Sequence, residues 1–162
     1  MIDKKLRGAA AVVGVGQAGI GMATGYTEME ILIQAAKRAV DDAGLTMQDI
    51  DGIATASVAS TMWVMPVIEH LGIRPTFIDS TMIGGSSFVA HLMPAIQALE
   101  SGQCNAVLVC YGSTQRTSTL SRSVIGNMRK QMDPQPYENP YNPLSPLSSY
   151  ALAAARHMHQ YG

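Results

Sequence analysis

One segment of the sequence, residues 86–101, restricts the fold more than any other. Apolar side chains recur at helical spacing on one of its faces, namely Phe88, Leu92, Ala95, Ile96 and Leu99. Val89 and Met93 add apolar side chains to the other face. A helix that is apolar on nearly all sides is stable only when other elements cover it. The sequence therefore predicts a buried helix between layers, in which Pro94 should cost about 3 kcal/mol unless the helix kinks there.

Strand-like and helix-like segments alternate along the first 112 residues. Short apolar runs predict strands at residues 9–15, 52–56, 76–82 and 105–111. Thr27 and Glu30 match the S/T-x-x-E capping box and Gly44 matches a C-terminal cap, so a helix is predicted between them. A shorter helix is predicted at 64–71. This alternation predicts an α/β layered fold whose first strand, 9–15, is buried on both faces.

Composition and charge exclude several classes of protein. The 162 residues are 47% hydrophobic and 14% charged, and the net charge is -1. The hydrophobic fraction is enough for one core. The net charge provides no basic field for binding nucleic acid or anionic membranes. No apolar run approaches the roughly 20 residues that span a bilayer, and no clear signal-peptide cleavage site follows the start. A cytoplasmic protein without membrane or nucleic-acid partners is expected, with Cys104 and Cys110 reduced and no metal bound.

The composition changes abruptly after the fourth predicted strand. The sequence divides into a core at 1–112, a loop at 113–149 that is rich in Ser, Thr, Asn and Pro, and the start of a further helix at 150–162. A loop of this length is usually a lid, a substrate-binding loop or a subunit contact. Between residues 113 and 130 its charges are all positive, namely Arg116, Arg122, Arg129 and Lys130. Arg116 and Arg122 are candidates for contacts with ligand phosphates, although a solvated loop or a subunit contact is the favoured interpretation.

Glycines at positions 14, 16 and 19 match the dinucleotide fingerprint G-x-G-x-x-G after a predicted strand. In a nucleotide-binding unit the helix begins within the glycines, so that its N-terminus faces the pyrophosphate. Here the helix begins near Thr27, and the second strand runs into Ala-Thr-Ala-Ser without the expected ribose-binding acid. A glycine-lined bend is therefore favoured over a cofactor site.

The turn Gly84-Gly85-Ser86-Ser87 lies between a predicted strand and the buried helix. Backbone N–H groups at a helix N-terminus stabilise negative charge, so a thioester oxygen or an oxyanion is one candidate ligand. The alternative is that Ser86 or Ser87 is only the N-cap of the helix. His91 lies one turn further on and is more often a core histidine than a base in such a setting. Cys110, on an apolar strand, is expected to be inert.

Taken together, these segments resemble the N-terminal half of the thiolase superfamily. The resemblance rests on the order and spacing of Val13-Gly14-Val15-Gly16-Gln17, Asp42-Ala43-Gly44-Leu45, Asp49-Ile50-Asp51-Gly52-Ile53, Ala95-Ile96-Gln97-Ala98-Leu99-Glu100-Ser101-Gly102, and residues 151–162. It is strongest to the sterol-carrier-type thiolases and to the thiolase-like lipid-transfer proteins that lack the catalytic cysteine. It implies an αβαβα layered fold, with a mixed, mostly parallel sheet around the buried helix.

The resemblance also implies a site and partners. Thiolases place their nucleophilic cysteine on the turn before the buried helix, and counting back from Gly102 puts that position at Gly85. A glycine cannot form an acyl-enzyme, so ordinary thiolysis is not expected. Gly84, Gly85, Ser86 and Ser87 would instead bind the substrate thioester. The implied protein is a homodimer that takes coenzyme A thioesters as substrates, without a tightly bound cofactor and with a small OB-fold partner.

Three functions follow from this resemblance. The first is a retro-aldolase, or lyase, that makes or breaks a C–C bond next to a CoA thioester in steroid degradation. The second is an acetyl-CoA acyltransferase whose nucleophile lies elsewhere, and the third is a non-catalytic acyl-CoA-binding, lipid-binding or structural subunit. The reactive residues of the relatives, tyrosines among them, lie in the C-terminal half. The chain is therefore expected to be truncated or one part of a split assembly, and inactive alone.

Overall fold

A computed structural model of the protein describes residues 6–57, 60, 62–117, 140 and 146–162. These residues fall into two compact units, one ending at Thr117 and the other starting at Ser118. The helices are α1 (Glu28–Asp42), α2 (Val64–Leu71), α3 (Ser87–Ala90), α4 (Leu92–Glu100) and α5 (Pro146–Tyr161), and the strands are β1 (Gly52–Thr55), β2 (Phe77–Asp79) and β3 (Val107–Cys110). A 3-10 turn covers Met47–Asp49. None of the helices in the described ranges is long and apolar enough to cross a membrane.

Helix α1 begins and ends where the sequence predicts. The Thr27 hydroxyl accepts a hydrogen bond from the Glu30 N–H (3.1 Å), and the Glu30 carboxylate accepts one from the Thr27 N–H (2.8 Å). This reciprocal capping box satisfies two amides that the first turn leaves without helical partners. Gly44 follows the last turn with φ +70°, the left-handed conformation that glycine adopts after a helix. The predicted cap at each end is confirmed.

The three strands form one parallel sheet in the order β2-β1-β3. Ile53 of β1 lies beside Ile78 on one side and beside Leu108 on the other. The strands at 52–56, 76–82 and 105–111 are thus confirmed, although each is shorter than predicted. Parallel strands need crossover connections, and the helices between them supply these. The α/β class is confirmed.

Helices cover both faces of this sheet. On one face, side chains of α1, α2 and the strands form the larger core, which includes Leu32, Ala36, Val40, Val64, Val67, Leu71, Ile53, Leu108 and Cys110. On the other face a smaller core joins Phe77, Ala95, Ala98 and Cys104, with Leu99 and Val107 packed against it. Val107 and Leu108 are successive residues of β3 and point to opposite faces. The result is a three-layer α/β/α arrangement, with α4 on the second face.

The predicted first strand, residues 9–15, is wrong as a buried strand. The segment has no regular secondary structure, and Val12, Val13 and Val15 are 79%, 66% and 71% exposed. It runs instead beside α1, where the Val15 N–H donates to the Asp42 carboxylate at 2.9 Å. A strand needs a partner for its backbone hydrogen bonds. The described residues supply none for this segment, and its apolar composition could not reveal that.

The predicted helix at 86–101 is divided into α3 and α4, which are separated at His91. Pro94 explains the break, because it lacks an N–H for the carbonyl of Ala90 and its ring crowds that carbonyl. The prediction that this helix is buried on nearly all sides is wrong for the described chain. Only Ala95 and Ala98 of α4 are buried, whereas Val89 is 72% exposed and Met93 is 48% exposed.

Candidate functional site

The candidate site lies at the carboxyl edge of the sheet. The turn of residues 80–86 follows β2, and Tyr111 follows β3. The ends of parallel strands meet at one edge of a sheet, which is where α/β proteins usually bind ligands. Phe88 of α3 joins these two segments, because its ring centroid lies 4.5 Å from that of Tyr111. The structure thus places the Gly-Gly-Ser-Ser turn beside the end of β3.

The turn itself is open to solvent. Residues 81–86 are all exposed, and Gly84 has φ +81°, which favours glycine at this position. A Cβ built on Gly85 would have no heavy atom within 4 Å, apart from its own neighbours. An approaching ligand can therefore reach the backbone of Gly85 and Ser86. Binding of substrate by this turn remains a prediction.

Ser87 is fully buried and bonds to the turn rather than to the helix. Its hydroxyl accepts a hydrogen bond from the Ile83 N–H (2.9 Å) and donates one to the Gly84 carbonyl (2.7 Å). Ser86 occupies the N-cap position of α3 but makes no side-chain capping bond there. The simple capping alternative therefore describes neither serine.

His91 is the second fully buried polar side chain at this site. Its Nε2 atom lies 2.9 Å from the Thr81 carbonyl oxygen, and its Nδ1 atom is buried without a hydrogen-bond partner. A carbonyl oxygen only accepts, so Nε2 carries the hydrogen and Nδ1 is the nitrogen without a partner. The prediction of a core histidine is confirmed, but the residue is only half satisfied. The joint contact of Ser87 and His91 with the turn was not predicted, although their four-residue spacing on an apolar helix is a recognisable signal.

The glycine motif at 14–19 has a packing role. A Cβ on Gly14 would lie 2.2 Å from the Ala39 carbonyl oxygen, and one on Gly16 would lie 2.1 Å from that of Ala35. Both glycines therefore let the chain run directly against the backbone of α1. This geometry explains the glycines without a nucleotide and supports the glycine-lined bend.

The two cysteines are buried and free. Burial raises the pKa of the Cys110 thiol to about 12. Burial and the nearby Asp51 carboxylate also raise the pKa of Cys104. The nucleophilic form of cysteine is the thiolate, so burial and the raised pKa support the expectation that Cys110 is inert.

Two further predicted ligand contacts involve Arg116 and Arg122. Arg116 is exposed within a turn at residues 115–117, and Arg122 lies outside the described residues, as does most of the predicted loop at 113–149. Contacts between these arginines and CoA phosphates remain predictions. Within the described part of the chain, no three His, Cys, Asp or Glu side chains are placed to hold a metal ion.

Comparisons with solved structures identify the fold. The chain superposes on a structure described as "Ltp2-ChsH2(DUF35) aldolase" with a TM-score of 0.75 and 26% identity, over 96% of this chain and 39% of that one. It also superposes on a monomeric SCP2-thiolase-like protein from Mycobacterium smegmatis, with a TM-score of 0.51 and 24% identity, over 76% of this chain and 26% of that one. The chain has a thiolase-like fold. No protein-family model matches it.

Comparisons with curated proteins connect this thiolase-like chain to an aldolase and to a lyase. It is 30% identical to a steroid side-chain-cleaving aldolase from Thermomonospora curvata, over 97% of the chain and 41% of that protein. It is 27% identical to a 17-hydroxy-3-oxo-4-pregnene-20-carboxyl-CoA lyase from Mycobacterium tuberculosis, over 97% of the chain and 42% of that protein. An acetyl-CoA acetyltransferase from Methanocaldococcus jannaschii is 26% identical, over 94% and 39%. The thiolase-like chain thus spans about two fifths of the length of these relatives.

Proposed function

We propose that this chain is the N-terminal part of a retro-aldolase that cleaves a C–C bond beside a CoA thioester in steroid degradation. The observation that carries the proposal is the similarity, over 97% of the chain, to the aldolase and the lyase. The thiolase-like fold supports it, and the family resemblance puts the position of the thiolase cysteine at Gly85, on the turn before α3. Cleavage without an acyl-enzyme intermediate fits a turn that has no nucleophilic side chain at this position.

The substrate named for the lyase defines the proposed reaction. In a 17-hydroxy-pregnene-20-carboxyl-CoA the hydroxyl-bearing carbon is bonded to the α-carbon of the thioester. When that bond breaks, its electron pair moves to the α-carbon as a thioester enolate, and the hydroxyl gives its proton to a base. Protonation of the α-carbon then yields propionyl-CoA and a 17-ketosteroid. No electrons leave the substrate, so this reaction needs no tightly bound redox cofactor.

The role of the turn in this proposal is electrostatic. The enolate places negative charge on the thioester oxygen, and hydrogen-bond donors that are already in position stabilise such charge. Gly84, Gly85, Ser86 and Ser87 are proposed to bind the thioester, with Ser87 acting through the turn because its hydroxyl is buried. Arg116 and Arg122 are proposed to contact the CoA phosphates. The proton-transfer groups are assigned to residues outside this chain.

Partners and location complete the proposal. A partner subunit is supported by the two-component description of the Ltp2-ChsH2 aldolase, and we propose a small OB-fold protein in this role. A homodimer in the cytoplasm is also proposed, which is consistent with the two free cysteines.

Product analysis tests the proposed reaction. The native protein and its partner are incubated with 17-hydroxy-3-oxo-4-pregnene-20-carboxyl-CoA, and the products are followed by liquid chromatography and mass spectrometry. We expect equimolar propionyl-CoA and 17-ketosteroid without added free CoA. Binding of the substrate without any product would instead support the non-catalytic carrier.

An acyltransferase is the second candidate, because one relative is described as an acetyl-CoA acetyltransferase. This reaction requires a nucleophile that is not on the turn, and free CoA or a second acyl-CoA as acceptor. A strict requirement for free CoA, with release of two acyl-CoA products, would favour this candidate over the lyase.

A further inference from the structure

We propose that Ser87 and His91 act together as positioning residues that clamp the 81–86 turn. The pair lies on adjacent turns of the α3–α4 segment, and its side chains reach three backbone groups of the turn. Ser87 bonds to the Ile83 N–H and to the Gly84 carbonyl, and His91 bonds to the Thr81 carbonyl. The positioning role rests on the proposed function, whereas the clamp itself is a property of the chain that is measured separately.

The turn and the two side chains that bond to it differ in burial. Residues 81–86 are exposed, so water can reach the turn. Ser87 and His91, in contrast, are both 0% exposed. The three hydrogen bonds that join these side chains to the turn are themselves part-buried. Their effect is to fix the turn against the start of the helix.

The unpaired nitrogen of His91 strengthens this argument. A buried polar atom without a partner is unfavourable, and an apolar side chain of similar size avoids that cost. His91 Nδ1 is such an atom, and the neighbouring ring of Phe88, 5.8 Å away between centroids, supplies only an edge contact. Packing alone would be served better by leucine at this position. A histidine at this position is explained by its Nε2 atom, which hydrogen-bonds to the Thr81 carbonyl.

The turn needs an external restraint because of its glycines. Gly84 and Gly85 have no side chains to limit their conformations, and Gly85 has open space around it. Catalysis by backbone donors depends on those donors being held in place before the charge develops. The clamp holds the backbone of the turn in place through buried side chains, and it leaves the exposed face of the turn free for a thioester.

Amide hydrogen exchange tests the clamp without reference to activity. In the full-length protein, His91→Leu removes the bond to Thr81 and fills the same space with an apolar side chain, while His91→Gln keeps a side-chain N–H donor. We expect exchange of the Ile83 amide, which is bonded to the Ser87 hydroxyl, to accelerate about fivefold to tenfold in His91→Leu, with recovery in His91→Gln. Exchange in β1 and α1 serves as the internal control and should not change. Unchanged exchange at the turn in His91→Leu would overturn the clamp, whether or not the protein cleaves any substrate.

Kinetics test the positioning role. With 17-hydroxy-3-oxo-4-pregnene-20-carboxyl-CoA as substrate, His91→Leu should lower kcat about 10-fold to 100-fold with little change in KM, and His91→Gln should restore most of the loss. Because both residues hold one turn, adding Ser87→Ala to His91→Leu should cost less than the sum of the two single effects. Faster exchange together with normal kcat would overturn the positioning role. If His91→Leu does not fold, Ser87→Ala alone is judged by the same two measurements. A wild-type protein that does not cleave the substrate contradicts the proposed function, and the exchange data then decide the clamp alone.

Discussion

Replacing Gly16 with alanine is expected to destabilise the unit of residues 6–117 by about 3 kcal/mol or more. The added Cβ would lie 2.1 Å from the Ala35 carbonyl oxygen and 2.4 Å from the Ala39 nitrogen, both in the backbone of α1. Neither atom is the flexible end of a side chain, so the 9–17 segment must move away from the helix. Chemical denaturation of the full-length variant measures the loss.

Gly85→Ala is the matched control for that substitution. It adds the same methyl group at a position where no heavy atom lies within 4 Å apart from the neighbouring residues, and we expect its free energy of unfolding to stay within about 0.5 kcal/mol of the wild type. Equal effects of the two substitutions would contradict the close packing of this segment against α1.

Asp51 should be the most important carboxylate for the stability of the sheet. Its side chain accepts hydrogen bonds from the Asn105 N–H at 2.8 Å, from the Asn105 side-chain amide at 2.8 Å and from the Ala106 N–H at 2.9 Å. These bonds fasten the start of β1 to the start of β3. Asp51→Ala removes all three, and we expect a loss of about 2 kcal/mol at pH 7 because the site is only partly buried. Asp41→Ala, at an exposed position in the last turn of α1, should have almost no effect.

The contribution of Asp51 should depend on pH with a defined sign. Burial raises the pKa of this carboxyl, but hydrogen bonds from Ala106 and Asn105 outweigh burial and lower the pKa below its ordinary value of 3.8. The stabilisation is therefore fully present above about pH 3.8 and is lost as the pH falls through the lowered native pKa. Denaturation at a series of pH values should show the difference between wild type and Asp51→Ala shrinking below pH 4. A difference that grows as the pH falls would contradict this assignment.

Local patterns in the sequence were sufficient for the parts of the fold that depend on neighbouring residues. The capping box at Thr27 and Glu30 is satisfied within four residues, so it set the start of α1 correctly. The apolar, β-branched run at 105–111 predicted β3 for a similar reason. Segment 9–15 has the same kind of composition, but whether it forms a strand depends on a partner elsewhere in space.

The candidate site was predicted only in part. The position of the Gly-Gly-Ser-Ser turn follows from the order of elements, whereas the roles of its serines do not. Serine is a residue type typical of helix caps, but the Ser87 hydroxyl bonds to Ile83 and Gly84, which precede it in the chain. Which backbone groups the Ser87 hydroxyl bonds to depends on the path of the turn, which includes a positive φ at Gly84. The partner of His91 lies ten residues earlier in the chain and is set by the same path.

Intact-protein mass, measured during turnover, tests most directly whether this thiolase-like chain serves C–C cleavage without an acyl-enzyme. The full-length protein with its partner is mixed with excess 17-hydroxy-3-oxo-4-pregnene-20-carboxyl-CoA, quenched in acid within the first turnovers and weighed by mass spectrometry. We predict that propionyl-CoA appears in solution and that the protein mass does not change. A protein that gains the mass of an acyl group, with free CoA released in step, would contradict it.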